Sequence, residues 1–422
     1  SKYLSTSELR LCLLYMRALG DVPEVAALQL EALAASPQAP RYANQILALI
    51  ASGAKLYNKA YPYLLKEGKF PEATWARRQA VINREHVKDL KALNELANNP
   101  LYDDAFDPWV RAKMEARKQD WLSTVNWIAL SMLSSIQPGG FILATLAMLI
   151  WGTILMKLCQ ASRFDKWTPL LCAVALLLGM MSVIPTLLWI ILEDMYLPIG
   201  KGEDLFHTIV YFIATVGLRE EVCKLLLFLP LAPILIKRGY HLEFLLVASF
   251  VGLGFAYEEN FNYLEASMGT ATHGRLLTAN FLHISLTGMS GLFFCRAFGT
   301  RAYGFNDFFA MFGIVIIAHG LYDAFLVHPP LDDGGFLAMI LFVVFSKYYF
   351  KEVHDLRERM EPVISLSATM AFGVSLITAS LLVYLSILLN LNLAIQLAFN
   401  GFLGSAIILF MFFREFGESL TD

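Results

Sequence analysis

Four apolar stretches between residues 205 and 327 contain ionisable side chains that could do chemistry. Membrane-spanning helices usually exclude such residues, because each costs about 2.5–3.5 kcal/mol at the bilayer centre even on lenient scales. Ionisable residues at that depth therefore indicate a functional site. The short sequences that carry them are GLREEVCK with Glu220, Glu221 and Lys224, GFAYEEN with Glu258, Glu259 and Asn260, FLHISLTG with His283, and AHGLYD with His319 and Asp323.

The chemistry that this set suggests is activation of a water molecule. A carboxylate can take a proton from water, and an imidazole can act as a general acid or as a donor to an oxyanion. Two histidines with one or two carboxylates can also hold Zn²⁺ and leave one coordination position open for water. Glu220 and Lys224 lie four residues apart on one helix face, so they could instead form only an intrahelical ion pair.

The composition of the chain indicates a membrane protein. Of its 422 residues, 57% are hydrophobic and 16% are charged, and the mean hydropathy is +0.54. Average globular proteins are roughly 45–50% apolar and about 25% charged, so a disordered chain, a collagen-like chain and a small disulfide scaffold are excluded, and a purely soluble protein is disfavoured. The net charge of −3 gives no electrostatic reason to expect a nucleic-acid partner. The five cysteines are scattered, and no disulfide framework is predicted.

Nine apolar stretches are long enough to cross a bilayer as helices, because a crossing needs about 20 residues. The third is too long for one simple crossing, so we expect 205–217 to lie along the interface and 218–236 to cross. The predicted fold class is all-α, a polytopic membrane protein of about nine transmembrane helices. The stretches cover about residues 138–158, 168–192, 205–236, 242–262, 275–297, 305–327, 334–350, 363–389 and 393–413.

The loops between these stretches indicate the orientation in the membrane. One alternating set carries most of the Lys and Arg residues, whereas the other is acidic; basic loops are typically cytoplasmic. The C-terminus is therefore predicted in the cytoplasm and, with nine spans, residues 1–137 outside, unless 121–136 also crosses. At about 1.5 Å per residue, His283 and His319 both lie roughly 12 Å below the outer ends of their spans. The cluster is thus predicted in the outer leaflet, toward the extracytoplasmic side.

The region before the first span is predicted to be a separate soluble helical domain. Residues 1–120 hold about half of all Lys and Arg, and apolar residues recur there at helical spacing. Turns at 20–25 and 68–73 resemble those of a degenerate tetratricopeptide repeat, although an ordinary helical domain fits equally well. Such a domain suggests substrate docking. The other predicted segments are a linker or interfacial helix at 121–137, two transmembrane helices at 138–204, a catalytic transmembrane core at 205–327, and C-terminal transmembrane helices at 328–422.

Taken in order, the four short sequences resemble the motifs of the PrsW family of intramembrane proteases, in the superfamily of CAAX-protease-like proteins. The family pattern is EExxK, FxxxE, a His before a Gly, and HxxxD on successive helices. EEVCK, FAYEE and HGLYD match it, whereas Gly288 and Gly291 follow His283 at five and eight residues rather than seven. Lys224 and Glu259 favour this branch over the prenyl endopeptidases, which have EExxxR and a His in place of Glu259.

The resemblance implies an endopeptidase that cleaves membrane-anchored proteins, in a bacterial plasma membrane and on its extracytoplasmic side. Its implied general base is one member of the EE pair, Lys224 would neutralise that pair, and Phe255 and Asn260 would support the site. A zinc metalloprotease is favoured, and a metal-free protease with glutamate-activated water is the alternative. The implied catalytic residues are Glu220, Glu221, Glu259, His283, His319 and Asp323. The candidate zinc ligands are His283, His319, Glu259 and Asp323.

The sequence alone leaves other classes of function open. The chain has neither HExxH nor GxGD, and Ser290 in GMSG resembles a rhomboid serine but lies seven residues deeper than His283. Small residues around it are more simply explained as helix-packing contacts. Membrane carboxylates and histidines also suit a proton-coupled transporter, and a non-enzymatic scaffold could keep the same fold. Membrane lipid is the other expected partner, and the oligomeric state is left open.

Overall fold

The structure is a computed structural model that describes residues 6–19, 23–36, 39–197, 200, 202, 204–299, 304–327, 334–357 and 365–416. Every regular element within these ranges is a helix, which confirms the predicted all-α class. The chain divides into two compact units, Ser1–Trp127 and Ile128–Asp422.

Unit 1 consists of short helices around two clusters of buried side chains, most of them small or aliphatic. Buried Arg77 holds the turn at 68–73 by donating to the carbonyl oxygens of Gly68, Phe70 and Pro71. The first predicted turn includes residues 20–22, which lie outside the described residues, so the tetratricopeptide repeat remains a prediction. The helices are α1 (Thr6–Leu19), α2 (Pro23–Ala35), α3 (Ala43–Gly53), α4 (Tyr57–Glu67), α5 (Thr74–His86), α6 (Leu90–Ala97), a 3₁₀ helix (Pro100–Ala105) and α7 (Pro108–Arg117). Helix α8 (Trp121–Ser134) contains the boundary with unit 2.

Among the described residues of unit 2, seven helical segments are long and apolar enough to cross a membrane. Each corresponds to one of the nine predicted stretches, and the chain is therefore an integral membrane protein. The segments are Pro138–Leu158 (α9), Thr168–Tyr196 (α10, Thr168–Met181, and α11, Val183–Tyr196), His241–Ala266 (α15), Thr272–Gly299 (α16, Thr272–Gly274; a π-helical turn, Arg275–Ala279; and α17, Asn280–Gly299), Phe305–Val327 (α18), Leu366–Leu388 (α20) and Leu391–Glu415 (α21).

The other two predicted spans differ from simple crossing helices, so nine crossings are not confirmed. The stretch 205–236 forms α12 (Leu205–Tyr211), a π-helical segment (Phe212–Gly217), α13 (Leu218–Phe228) and α14 (Ala232–Arg238). The segment 218–236 is not one continuous helix, because Pro230 interrupts it: proline lacks an N–H and clashes with the preceding turn. The predicted crossing there is therefore not confirmed. The stretch 334–350 lies in α19 (Gly334–Leu356), whose last turns carry Lys347, Lys351 and Glu352.

Helix α15 is the centre of unit 2 and packs against α9, α10 and α17. Small residues allow this packing, since a Cβ on Gly254 would collide with the carbonyl oxygen of Leu176 in α10. The beginning of α15 is anchored by buried Glu243, which accepts hydrogen bonds from Arg238 at 2.7 Å and from Thr168. The central helix therefore has a fixed position relative to α10 and α14.

Candidate active site

Two close helix approaches position the histidines of the predicted site, and both depend on glycine. A Cβ on Gly320 would lie 2.6 Å from the backbone nitrogen of Ile213, so α18 touches the π-helical segment directly beside His319. A Cβ on Gly252 would lie 2.7 Å from the carbonyl carbon of His283, so α15 touches α17 at that histidine. Because a side chain at either glycine would separate the backbones, these two positions determine where the imidazoles lie.

His319 is buried on α18 and faces three carboxylates. Its Nδ1 lies 2.8 Å from Oε1 of Glu221, and its Nε2 lies 3.6 Å from both Glu220 Oε2 and Asp323 Oδ2. A ring that donates from Nδ1 to a carboxylate keeps its orientation and presents the other nitrogen to a ligand. The Nε2 atom of His319 therefore points toward the space between Glu220 and Asp323.

Lys224 is fully buried and connects α13 to α17. Its Nζ donates to Glu221 Oε1 at 2.8 Å, to Glu220 Oε2 at 3.4 Å and to His283 Nδ1 at 2.8 Å. The ammonium also lies 4.0 Å from the centre of the Phe255 ring, a favourable cation–π distance. The contact with His283 shows that Lys224 does not form only an intrahelical ion pair, because it also bonds to a second helix.

His283 is hydrogen-bonded through both ring nitrogens. An ammonium can only donate, so Nδ1 of His283 accepts from Lys224 and Nε2–H donates to Glu259 Oε2 at 3.1 Å. The centre of its ring lies 5.2 Å from that of Phe255 and 5.2 Å from that of His319. The two histidines predicted to share one depth are therefore neighbours.

Arg275 is a member of this network that the sequence analysis missed. Its Nη2 donates to Glu259 Oε2 at 2.6 Å, and its Nε donates to Oδ1 of Asn260. Asn260 in turn donates to Asn280 at 2.9 Å, so its support acts through Arg275. A signal was available, because Arg275 marks the outer end of its predicted span at nearly the same depth as Glu259.

The described residues contain one group of three side chains that could hold a metal ion. Glu220, His283 and His319 each place a ligand atom within 4.8 Å of the other two, and all three are buried. The two histidines of this group were predicted as ligands, but the two predicted carboxylate ligands are not in it. Glu259 is instead paired with Arg275, and Asp323 lies beside His319. Two histidines and one carboxylate match the protein ligands of catalytic zinc sites of the His₂Glu type.

Two nearby polar residues are placed outside this network. Glu258 is only 4% exposed, and its Oε1 has no hydrogen-bond partner. Ser290 donates to the carbonyl oxygen of Leu286 in its own helix, while Gly291 contacts α15 at Ala248. The GMSG sequence therefore lies in a helix-packing contact, as the small residues suggested.

A comparison with known protein families matches the part of the chain that contains this site. Residues 168–348 match the family described as PrsW family intramembrane metalloprotease. The matched range includes α13, α15, α17 and α18, which carry the cluster. No curated protein and no solved structure matches the chain.

Proposed function

The chain belongs, through residues 168–348, to the PrsW family of intramembrane metalloproteases, and we propose that it is an endopeptidase that hydrolyses a peptide bond in membrane-anchored proteins. The observation that carries this proposal is the convergence of carboxylates and imidazoles from α13, α17 and α18. Burying these groups together is costly unless they are paired and used. Hydrolysis needs an activated water and a donor for the developing oxyanion, and this set of groups can supply both.

We assign different roles to the two glutamates of α13. Glu221 accepts from both Lys224 and His319 at 2.8 Å, so it acts as a positioning residue for these two side chains. Glu220 has only longer contacts, at 3.4 Å to Lys224 and 3.6 Å to His319, and its side chain is 11% exposed. The carboxylate with the freer oxygen is the better general base, so in the metal-free mechanism Glu220 is proposed to take the proton from water.

A zinc ion fits the donor set of the cluster in residue type and number. Glu220, His283 and His319 would hold it, with Glu221 and Glu259 hydrogen-bonded to the outer nitrogens of the two rings. When bound, zinc supplies Lewis-acid polarisation of a carbonyl or of water. The alternative is a metal-free glutamate-type protease, and the contact of Lys224 with His283 favours keeping it as a second candidate.

The location of the reaction is also part of the proposal. On the resemblance to the PrsW family, we propose that the protein lies in a bacterial plasma membrane. The Lys and Arg distribution supports placing the cluster in the outer leaflet and the C-terminus in the cytoplasm. Residues 1–120 are proposed to dock the substrate. Deleting them without any change in which reporter proteins are cut would contradict that docking role.

Cleavage of a single-pass reporter protein in lipid vesicles tests the activity. Glu220→Gln is expected to slow cleavage by about 10²–10⁴-fold, the usual contribution of a general base. Glu258→Gln is the matched control, since Glu258 is a buried carboxyl on α15 that makes no hydrogen bond to the cluster. No cleavage by the wild type, or equal rates in both variants, would contradict the proposed chemistry.

Metal analysis separates the two mechanisms. About one zinc per purified chain, lost in both His283→Ala and His319→Ala, would support the metalloprotease. A zinc-free wild type that still cleaves the reporter would support water activation by glutamate, with the histidines as acid and oxyanion donors.

A further inference from the structure

The ammonium of Lys224 lies among the atoms that would bind a metal ion. Its three hydrogen-bond acceptors are Glu220, Glu221 and His283, at 3.4, 2.8 and 2.8 Å. Two of these acceptors, Glu220 and His283, belong to the group of three potential metal ligands. The cluster thus already contains one tethered positive charge, completely enclosed by the protein.

The hydrogen bonds of His283 show that the Lys224 ammonium occupies the nitrogen lone pair that a metal ion would need. Because Lys224 can only donate, the lone pair on Nδ1 of His283 is directed at the ammonium. The other nitrogen carries a hydrogen and donates it to Glu259. A histidine coordinates a metal through a nitrogen lone pair, so His283 has none to offer while Lys224 keeps this contact.

We infer that Lys224 and a divalent cation exclude each other from the cluster, so that Lys224 is its resident cation and a metal ion enters only by displacing the ammonium from His283. Nδ1 of His283 then becomes the ligand atom, while Nε2–H keeps its bond to Glu259, the carboxylate–histidine arrangement common at zinc sites. Like charges a few ångströms apart also repel strongly in a buried site. Lys224 therefore lowers the affinity of the cluster for the metal. This inference rests on the proposed metal site, but it does not require that the protein cleaves peptides.

Metal titration of the full-length protein in detergent tests the inference. Lys224→Met removes the charge at similar length, and Arg219→Met is the matched control, because Arg219 is a buried cation on the same helix whose partner, Glu193, is outside the cluster. Zn²⁺ is titrated in competition with a coloured chelator. We expect Lys224→Met to bind Zn²⁺ at least tenfold more tightly than the wild type, and Arg219→Met to bind within threefold of it. Equal or weaker binding by a folded Lys224→Met protein would overturn the inference, whatever the result of the cleavage assay.

A second measurement uses only folded protein with Lys224 in place. In metal-free wild type labelled with ¹⁵N-histidine, with His283 assigned by His283→Gln, we expect an unprotonated Nδ1 and a protonated Nε2. Saturating Zn²⁺ is expected to move the Nδ1 signal to that of a metal-bound nitrogen and leave Nε2 protonated. An Nδ1–H in the metal-free protein, or a metal-free His283 spectrum that persists with zinc bound, would overturn mutual exclusion.

Discussion

Replacing Gly320 with alanine tests whether the contact between α18 and the π-helical segment Phe212–Gly217 positions His319. The new Cβ would lie 2.6 Å from the backbone nitrogen of Ile213 and closer still to its Cα, and neither atom can rotate away. Ordinary van der Waals contact begins at 3.4 Å. The two segments must therefore separate by about 1 Å.

The size of the effect follows from the position of His319, which directly precedes Gly320. Its bond to Glu221 measures 2.8 Å, and lengthening it by about 1 Å takes it beyond hydrogen-bond range. A misplacement of about 1 Å costs roughly 10²-fold in rate, whereas overpacking costs about 1–3 kcal/mol of stability. We expect Gly320→Ala to cleave a membrane reporter about 100-fold more slowly while remaining folded.

The control for this prediction is Gly313→Ala in the same helix. A Cβ on Gly313 meets nothing within 4 Å, so this variant is expected to gain about 0.5–1 kcal/mol from helix propensity and to cleave at the wild-type rate. Single-turnover cleavage in vesicles gives the rate, and thermal unfolding in detergent gives the folded fraction. If Gly320→Ala cleaves within threefold of wild type at equal folded fraction, the helix contact does not set the geometry of the site and our reasoning fails.

Three other predictions concern charged residues. Glu221→Gln leaves the buried ammonium of Lys224 without its nearest carboxylate, which should cost about 3–5 kcal/mol of stability and also slow cleavage. The control is Glu243→Gln at the far end of α15, which should lower only the stability. Equal losses of cleavage rate in the two variants would contradict this distinction. Arg275→Gln should slow cleavage about tenfold because Glu259 loses its 2.6 Å partner, whereas an unchanged rate would show that Arg275 does not position that carboxylate. Burial raises the pKa of Glu67, so the contribution of Glu67 to the stability of unit 1 is largest below the ordinary glutamate pKa and is lost as the pH rises through the raised value. Hydrogen exchange of α4 in the full chain should show this loss in the wild type and not in Glu67→Gln, and the same pH dependence in both proteins would assign it to another group.

Several features of the site could be predicted because they depend on length and hydropathy. Within the described part of the chain, seven of the nine apolar stretches form helices that are long and apolar enough to cross a bilayer. Counting residues from the outer ends of two spans placed His283 and His319 at equal depth, and their ring centres are 5.2 Å apart. Such counting works because the rise of a helix is constant and the bilayer has a known thickness. Residue counting did not anticipate the break at Pro230, which divides an apolar run that looked continuous.

Residue types and helical spacing were enough to predict a chemistry, since few side chains can activate water and the bilayer excludes those that are not used. The sequence did not predict which of these side chains are hydrogen-bonded to each other. Glu221 bonds to His319 across 98 residues and Lys224 bonds to His283 across 59, and these pairs depend on helix rotation and on backbone contacts at Gly252 and Gly320. Differences of about 1 Å between packed helices select one carboxylate over its neighbour, and such distances are a property of the assembled fold rather than of any segment.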